Sequence, residues 1–559
     1  MAETPFNVER REQIFPRLTE AQLERMARYG TRRTVRDGEV LFRQGDEGIH
    51  FYVVLSGELD ILRPEGDGEA LIVRHQAGNF SGETAMLSGR RALATGRFRG
   101  DGEVVDIPPS GLRDLVVTDA ELSELLMRAF ILRRVSLISN HLGDAVVVGS
   151  RHCANTLRIK EFLTRNGHPY LYLDVEEDEG ARALVERFHI LPHDIPVLIC
   201  RGTKVLRAPT NTEVADCLGF NAGITTDAVR DVVVVGAGPA GLSAAVYAAS
   251  EGLDVLVLET NAPGGQAGSS SKIENYLGFP TGISGQALAG RAFTQAQKFG
   301  ANVAIARNAV RLDCGGRPYA VELESGERIR AKAVVIASGA RYRKLGVENL
   351  ARFENAGVYY GATFVESKLC EGQEAIVIGG GNSAGQAAVY LSGIARHVHM
   401  LVRAGGLAET MSRYLIRRIE ETPAITLRTR TEIVGLLGNG ELEGVRWRNN
   451  VSGETEERPV RHVFCMMGAD PCTSWLRGCV VLDEKGFVKT GQDLTAEELS
   501  GAGWSLSRHP LLLETSRPGI FAVGDVRSGN VKRVASAVGE GSISIQLVHR
   551  VLAGLSSGG

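Results

Sequence analysis

The feature that most constrains this chain is a glycine-rich turn that occurs twice, each time between an apolar run and a helix-like run. The first copy is GAGPAG, from Gly236 to Gly241 after DVVVV, and the second is GGGNSA, from Gly379 to Ala384 after EAIVI. Glycines at such a turn allow the backbone to approach a dinucleotide pyrophosphate, which faces the N-terminus of the next helix. The sequence therefore predicts two Rossmann-like α/β units.

The residue at the end of the second strand in each unit indicates which nucleotide binds there. Glu259 closes VLVLE and can accept hydrogen bonds from ribose hydroxyls, whereas Arg403 follows the corresponding run in the second unit. A cation at this position accommodates a 2′-phosphate. The second unit is therefore expected to prefer NADPH, with NADH use and a merely solvated role for Arg403 left open.

From about Asp231 onward the chain resembles the low-molecular-weight thioredoxin reductases. The ordered motifs are GAGPAG, GGQA with IENYLGFP, ASGA, GGGNSA, and FAVGDV with KRVASAVGEG. This resemblance implies an FAD domain built from residues 226–345 and 466–559, with an NADPH domain at 346–465 inserted between them. It also implies a homodimer.

The same resemblance assigns site residues. For FAD it points to Gly236, Gly238, Pro239, Ala240, Gly241, Glu259, Gly264, Gly265, Gln266, Asn275, Ala337, Gly339, Gly524, Asp525, Lys532, Arg533 and Val534. For NADPH it points to Gly379, Gly381, Asn382, Ser383, Ala384 and Arg403. Gly264 to Gln266 would lie against the flavin, Asn275 near its ring and Asp525 on the ribityl chain, although a helix N-cap is the alternative role for Asp525.

The resemblance fails at the redox dithiol that thioredoxin reductases carry shortly before the second glycine turn. Those cysteine positions fall on Gly361 and Phe364, in GATF, and no two of the eight cysteines form CxxC. Without a thiolate and a resolving thiol, a flavin-to-disulfide relay has no first carrier. Cys370 is close in sequence but is expected to be structural.

The sequence leaves three functions open. The favoured one is an FAD-dependent oxidoreductase that passes electrons from NADPH to a small redox protein or a small-molecule acceptor. A ferredoxin or flavodoxin reductase would fit if Tyr276 stacked on the flavin, although the final HRVLAGLSSGG offers no aromatic lid. The second function is disulfide reduction through Cys153 or a partner's disulfide, and the third is a flavin-dependent sensor or scaffold.

Residues 1–136 resemble cyclic-nucleotide-binding domains in LFRQGDEGIHFYVVLSGELDIL and GNFSGETAMLSGRRALAT. The resemblance implies a β-roll with helices and a phosphate cassette that begins with Gly82 and Glu83, in which Glu83 contacts the ribose 2′-hydroxyl and an arginine binds the cyclic phosphate. The candidate cation, Arg91, is displaced by one residue, which in extended chain turns a side chain to the other face. Ligand binding and a retained β-roll for docking or dimerisation both stay open.

Residues 137–225 resemble a glutaredoxin or thioredoxin fold. Cys153 holds the place of the nucleophile before the first helix, Thr156 replaces the second cysteine, and Ile195-Pro196 matches the cis-proline turn. A thiol at a helix N-terminus has a lowered pKa and is exposed. A catalytic monothiol and a degenerate docking module are both consistent with this pattern.

Charge and hydropathy exclude several other classes. The 63 Lys and Arg residues nearly balance 66 Asp and Glu, for a net charge of −3, and no basic block marks a nucleic-acid surface. Long apolar runs and a secretory leader are not evident, which favours a cytoplasmic protein without a membrane span. We expect no metal site and a multidomain protein in which β-roll and thioredoxin-like units precede two Rossmann-like units.

Overall fold

The structure is a computed structural model. It describes residues 11–556 except for short gaps at 66–67, 83–85, 87–90, 140–144, 179–180, 182–184, 187–189, 201–203, 222–224, 226–227, 271–272, 274, 355, 361, 363 and 409–410. Two of the positions discussed above, Glu83 and Gly361, lie outside the described residues.

The N-terminal unit is an antiparallel β-roll followed by two helices. Its elements are α1 Arg11–Ile14, α2 Glu20–Met26, β1 Thr31–Val35, β2 Val40–Phe42, β3 Phe51–Glu65, β4 Gly68–His75, β5 Thr95–Ile107, α3 Pro109–Thr118 and α4 Ala120–Ser139. The strands pair in the order β1-β5-β3-β4, with β2 on β5. Between α3 and α4 lies Asp119, whose carboxylate accepts hydrogen bonds from Arg25 and from the Leu122 N–H.

The middle unit has a four-stranded mixed sheet. Its elements are β6 Ala145–Gly149, α5 Ala154–Arg165, β7 Tyr170–Asp174, β8 Val197–Cys200, β9 Lys204–Arg207 and α6 Asn211–Cys217. In the order β7-β6-β8-β9, β6 and β7 are parallel and the other pairs are antiparallel. The Ile195-Pro196 bond is cis, as expected, and Cys200 forms a disulfide with Cys217.

The first α/β unit is built from two separate stretches of chain. Its elements are β10 Arg230–Val235, α7 Pro239–Ser250, β11 Val255–Glu259, α8 Gly265–Gly268, α9 Gly285–Lys298, β12 Asn302–Ile305, β13 Ala309–Asp313, β14 Tyr319–Leu323, β15 Arg328–Ile336, α13 Ala496–Gly501, β26 Ile520–Ala522 and α14 Val534–Ser556. The sheet order is β12-β11-β10-β15-β14-β13, and β26 pairs in parallel with β15. Cys314 and Cys479 form a disulfide between the two stretches.

The second α/β unit lies between those two stretches. Its elements are β17 Val358–Tyr359, α10 Phe364–Leu369, β18 Glu374–Ile378, α11 Asn382–Leu391, β19 His397–Val402, α12 Arg413–Glu420, β20 Ile425–Thr429, β21 Thr431–Leu437, β22 Gly444–Asn449, β23 Thr455–Arg458 and β24 His462–Cys465. A parallel sheet of order β17-β24-β18-β19-β20 packs with the antiparallel sheet β21-β22-β23. The connections to the first unit form a small antiparallel ladder of β16 Ala340–Tyr342 and β25 Ala469–Pro471.

Buried apolar runs explain why the parallel strands are central. All four valines from Val232 to Val235 in β10 are buried, as expected for a strand covered by helices on both faces. The core on one face of this sheet continues into the middle unit, where Phe162 and Phe220 belong to the same cluster as Val232.

Among the described residues, no helix is long and apolar enough to cross a membrane. The domain boundaries given above stay predictions.

Glu514 anchors the turn that precedes β26. Its side chain is fully buried and pairs with Arg508 at 2.5 Å, and its two oxygens also accept the N–H groups of Leu511 and Gly519. We expect Glu514→Ala to lower the free energy of unfolding by about 3 kcal/mol, because it leaves buried donors without an acceptor. Urea unfolding measures this loss.

The control is Glu421→Ala, which removes the exposed ion pair of Glu421 with Arg417 on α12. This pair is solvated, so its loss should leave the unfolding curve unchanged. Equal unfolding curves for the Glu514 variant and the unmodified protein would contradict the anchoring role.

Candidate functional site

A cleft of about 1000 Å³ lies at the carboxyl ends of β10, β11, β15 and β26. This is where open α/β sheets bind nucleotides. Of the residues assigned to FAD from the sequence, those that line the cleft are Gly236, Gly238, Pro239, Ala240, Glu259, Gly265, Gln266, Asn275, Ala337, Gly339, Gly524, Asp525, Lys532, Arg533 and Val534. The remaining two, Gly241 and Gly264, are not among the described residues that line the cleft.

The first glycine turn brings bare backbone to the cleft. Gly236 has φ +108°, and a Cβ there would overlap the carbonyl oxygen of Ala337. A Cβ at Gly241 would in turn overlap the carbonyl oxygen of Gly236. Gly238 is the N-cap of α7, so the helix N-terminus opens into the cleft without a covering side chain. Such a terminus is a ready site for a diphosphate.

Glu259 stands at the end of β11 and is buried. Its Oε2 accepts the Ala237 N–H at 2.8 Å, and its Oε1 accepts the Asn261 N–H at 2.9 Å. These bonds fix the carboxylate at the edge of the cleft with acceptor capacity remaining. A carboxylate in this position can accept hydrogen bonds from ribose hydroxyls.

The loop after β26 is held by a residue that the sequence interpretation missed. The Gly524 N–H donates to Glu540 Oε2 at 2.7 Å, and Arg527 and Asn530 donate to Glu540 Oε1 at 2.6 and 2.7 Å. The neighbouring Asp525 lines the cleft, and its burial raises the pKa of its carboxyl. Glu540 lies in the GEG of the KRVASAVGEG motif, which was the available signal for it.

Lys532 and Gln266 support two other walls of the cleft. The Lys532 ammonium donates to the carbonyl of Asp525 at 3.2 Å, and Gln266 Nε2 donates to the carbonyl of Ala340 at 3.1 Å. Further lining residues without a sequence motif are Arg165, Asn261, Arg307, Arg341, Cys472, Trp475 and Arg477. Tertiary packing brings these residues to the cleft, so no local sequence pattern could predict their position there.

The second glycine turn opens toward the same cleft. Asn382 and Ser383, at the start of α11, are among its lining residues. Gly379, Gly381, Ala384 and Arg403 are not among the described residues that line it. Arg403 is exposed directly after β19. Of the second turn, Asn382 and Ser383 are thus the described residues that line the cleft.

A smaller and mostly apolar cavity lies inside the N-terminal unit, and Gly82 and Arg91 both line it. The Arg91 guanidinium is paired with Glu47 at 2.6 Å. Arg133, from α4, reaches into the same cavity and donates to the carbonyl of Gly82 at 2.8 Å. Burial, together with the Arg133 charge, holds the pKa of His75 well below its usual range.

The free cysteines occupy different environments. Cys153 is the N-cap of α5 and is partly exposed, but it is not among the described residues that line the large cleft. Cys370 and Cys465 are buried, and burial raises their pKa values to about 11 and about 12. Cys472 lines the cleft, and burial raises the pKa of its thiol as well.

Comparison with known proteins agrees with this geometry. The family model for pyridine nucleotide-disulphide oxidoreductases matches residues 230–541. The chain belongs to this family. The model for cyclic nucleotide-binding domains matches residues 32–119, so the N-terminal resemblance is confirmed at the level of the domain. The chain is a multidomain NAD(P)H-dependent flavin oxidoreductase, and thioredoxin reductases of this family use FAD and NADPH.

Individual relatives support the resemblance to thioredoxin reductases. Thioredoxin reductase of Bacillus subtilis is 32% identical over 58% of this chain and 96% of its own. NADPH-dependent thioredoxin reductase 3 of Arabidopsis thaliana is 32% identical to this chain. The match covers 63% of this chain and 65% of the Arabidopsis protein. The crystal structure of Lactococcus lactis thioredoxin reductase, in its FR conformation, is 27% identical with a TM-score of 0.51 and covers 58% of this chain and 99% of its own.

Glu540→Ala tests the support of the Gly524 loop. We expect FAD to bind about 10-fold more weakly, because the loop loses the acceptor for one N–H and two side chains. The measurement is the flavin content of the purified protein together with FAD titration. Ser542→Ala, which removes only a bond to the carbonyl of Gly539, is the matched control. Unchanged FAD affinity in the Glu540 variant would contradict this role.

Proposed function

We propose that this protein oxidises NADPH with FAD in the large cleft and delivers the electrons to an acceptor other than its own dithiol. The observation that carries the proposal is one cleft that is lined by Gly236 and Gly238 of the first turn and by Asn382 and Ser383 of the second. Bound FAD would supply two-electron chemistry, accepting a hydride from NADPH and passing electrons on. The protein's own groups would bind and orient the two nucleotides and exclude water between them.

The described residues fit FAD. The bare backbone at Gly236 and Gly238 leaves room for a diphosphate beside the N-terminus of α7, and Glu259 offers a carboxylate to a ribose. Gly265 and Gln266 would lie along FAD from the diphosphate towards the flavin, Asp525 would hold the ribityl chain, and Lys532 would lie at the polar edge of the flavin ring. These assignments rest on motif and position together.

The proposal of an unusual acceptor rests on the cysteines. GATF stands where thioredoxin reductases carry their dithiol, and Phe364 is the first residue of α10. The nearby Cys370 is fully buried, and its Sγ lies 3.2 Å from the carbonyl oxygen of Ser367. A thiol with a pKa of about 11 is protonated at neutral pH and is a poor nucleophile. The acceptor would then be a small redox protein or a small molecule.

Disulfide reduction through Cys153 is the second candidate. The partial exposure of Cys153 at the N-cap of α5 favours it, because the thiol is accessible to a partner protein. Electrons would then pass to a disulfide of a partner protein, as in the relatives named for thioredoxin. This route needs a resolving thiol, which Thr156 does not provide.

The N-terminal unit is proposed either to regulate the flavin site by binding a cyclic nucleotide or to serve as a surface for docking or dimerisation. A cyclic nucleotide would use Gly82, Glu83 and Arg91, and the engagement of Arg91 by Glu47 would have to be released for it to bind a phosphate. A flavin-dependent sensor, in which turnover is incidental, is the version of this idea without catalysis. The proposed setting is a cytoplasmic homodimer.

Anaerobic stopped-flow reduction of the purified yellow protein tests the central proposal. NADPH should bleach the flavin absorbance rapidly, and NADH more slowly. Arg403→Ala should weaken the preference for NADPH about 10-fold, since one charge-assisted contact with the 2′-phosphate is lost. Arg417→Ala removes an exposed arginine from the same unit and should change neither rate. A flavin that neither nucleotide reduces would overturn the oxidoreductase proposal and favour the sensor.

Alkylation distinguishes the two routes for electrons. Iodoacetamide at near-neutral pH should modify Cys153 and leave Cys370 and Cys465 unmodified, because the latter two stay protonated until the pH approaches their raised pKa values. Peptide mass spectrometry reads the modification. Under the favoured proposal the alkylated protein keeps its rate of NADPH-dependent acceptor reduction. Loss of that rate on modification of Cys153 alone would instead establish the thiol route.

A further inference from the structure

We propose that the middle unit completes the FAD site and that Arg165 binds the FAD diphosphate directly. This inference rests on the proposed function, since it concerns the same cleft. It assigns a role to a part of the chain outside the family match, which begins only at residue 230. Neither glycine motif includes Arg165 or any other residue of the middle unit.

The position of Arg165 carries the argument. It is the last residue of α5, and its guanidinium lines the cleft that also contains Gly238 and Gly265. Its Nη2 donates to the carbonyl of Gly265 at 2.9 Å, and its side chain is only 16% exposed. The guanidinium therefore lies over the loop that faces the N-terminus of α7.

The Nη1 group of Arg165 is available to a ligand, because its contact with Glu161 is long, at 3.5 Å. An anion in the cleft beside Arg165 would give this group a closer acceptor. The diphosphate is the charged part of FAD, and a guanidinium binds phosphate oxygens through paired hydrogen bonds.

The distance from Gly265 to the glycine turn indicates which part of FAD is near. A Cβ at Gly265 would lie 3.0 Å from the Cα of Gly238, so the two backbones are in close approach. Gly238 is the N-cap of α7, the expected diphosphate position. Arg165, which is bonded to Gly265, therefore lies near that position.

The middle unit holds two further walls of the cleft. Asn166 Nδ2 donates to the carbonyl of Asn261 at 3.1 Å, and Asn211 Nδ2 donates to the Asn261 side chain at 3.1 Å. Arg307, another lining residue, pairs with Asp216 at 2.8 Å. Two cleft residues, Asn261 and Arg307, are thus bonded to the middle unit.

Apolar packing stabilises this contact. Phe162 and Leu163 of α5 belong to one buried cluster with Ile305 and Ala306, next to the cleft residue Arg307. Such a shared core is typical of units that stay docked, whereas mobile domains meet across polar surfaces. The middle unit is therefore part of the cofactor site as well as a neighbour of it.

The test is FAD release from the full-length holoenzyme. After dilution, free flavin fluorescence reports the dissociation rate, and titration of deflavinated protein reports the affinity. Arg165→Ala should release FAD about 10- to 100-fold faster, the effect of losing a charge-assisted contact. Arg165→Met keeps the apolar stem and should behave alike, which separates lost charge from lost packing. Arg165→Lys should fall between these variants and the unmodified protein.

The matched control is Lys160→Ala. Lys160 lies on the same helix, with its ammonium 3.6 Å from the ring centroid of Tyr172 and away from the cleft. Its loss should leave the FAD release rate unchanged. FAD release from Arg165→Ala and Arg165→Met that is as slow as from the unmodified protein would overturn this inference while leaving the proposed function intact. Failure of the unmodified protein to bind FAD at all would overturn the proposed function itself.

Discussion

The parallel pairing of β26 with β15 is the constraint on which the cleft depends. Val334 to Ile336 register with Ile520 to Ala522, so a strand from near the end of the chain joins a sheet begun almost 300 residues earlier. This pairing brings Gly236, Ala337 and Gly524 to one edge. It also closes the intervening chain into an insertion whose two connections run side by side as β16 and β25, where the Arg343 N–H donates to the carbonyl of Gly468.

The sequence predicts the parts of the site that short-range rules control. A glycine turn needs its backbone conformation locally, so Gly236 and Gly379 could be found from spacing alone, and both lie where expected at the ends of buried strands. Glu540 is different, because its partners lie 10 to 16 residues away and only the folded loop brings them to one carboxylate. Arg165 is further still, 100 residues from Gly265, and no periodicity links the two. The disulfide of Cys314 with Cys479 is of the same long-range kind.

The interpretation of the middle unit changes when its contacts are weighed with its cysteine. As a redox module it offers one partly exposed thiol, and the residue in place of a resolving cysteine, Thr156, is fully buried. As a docking module it offers Arg165, Asn166 and Asp216, all bonded to residues of the first α/β unit. The second role uses more of the unit's surface and needs no further thiol. The two roles are compatible, because Cys153 lies at the opposite end of α5 from Arg165.

If Arg165 binds FAD, the cofactor and the middle unit stabilise each other by the same free energy. Thermodynamic linkage requires this. If docking of the middle unit raises the affinity for FAD, then bound FAD must shift the docking equilibrium of the unit by the same free energy. The helix that precedes the middle unit extends the argument to the N-terminal unit: Arg133 of α4 donates to Gly82, and the adjacent Arg134 donates to the carbonyl of Gly167 at 2.7 Å. Gly167 is two residues beyond Arg165. Three units are thus joined by hydrogen bonds of arginines to main-chain carbonyls, and the last of these arginines stands at the cofactor cleft.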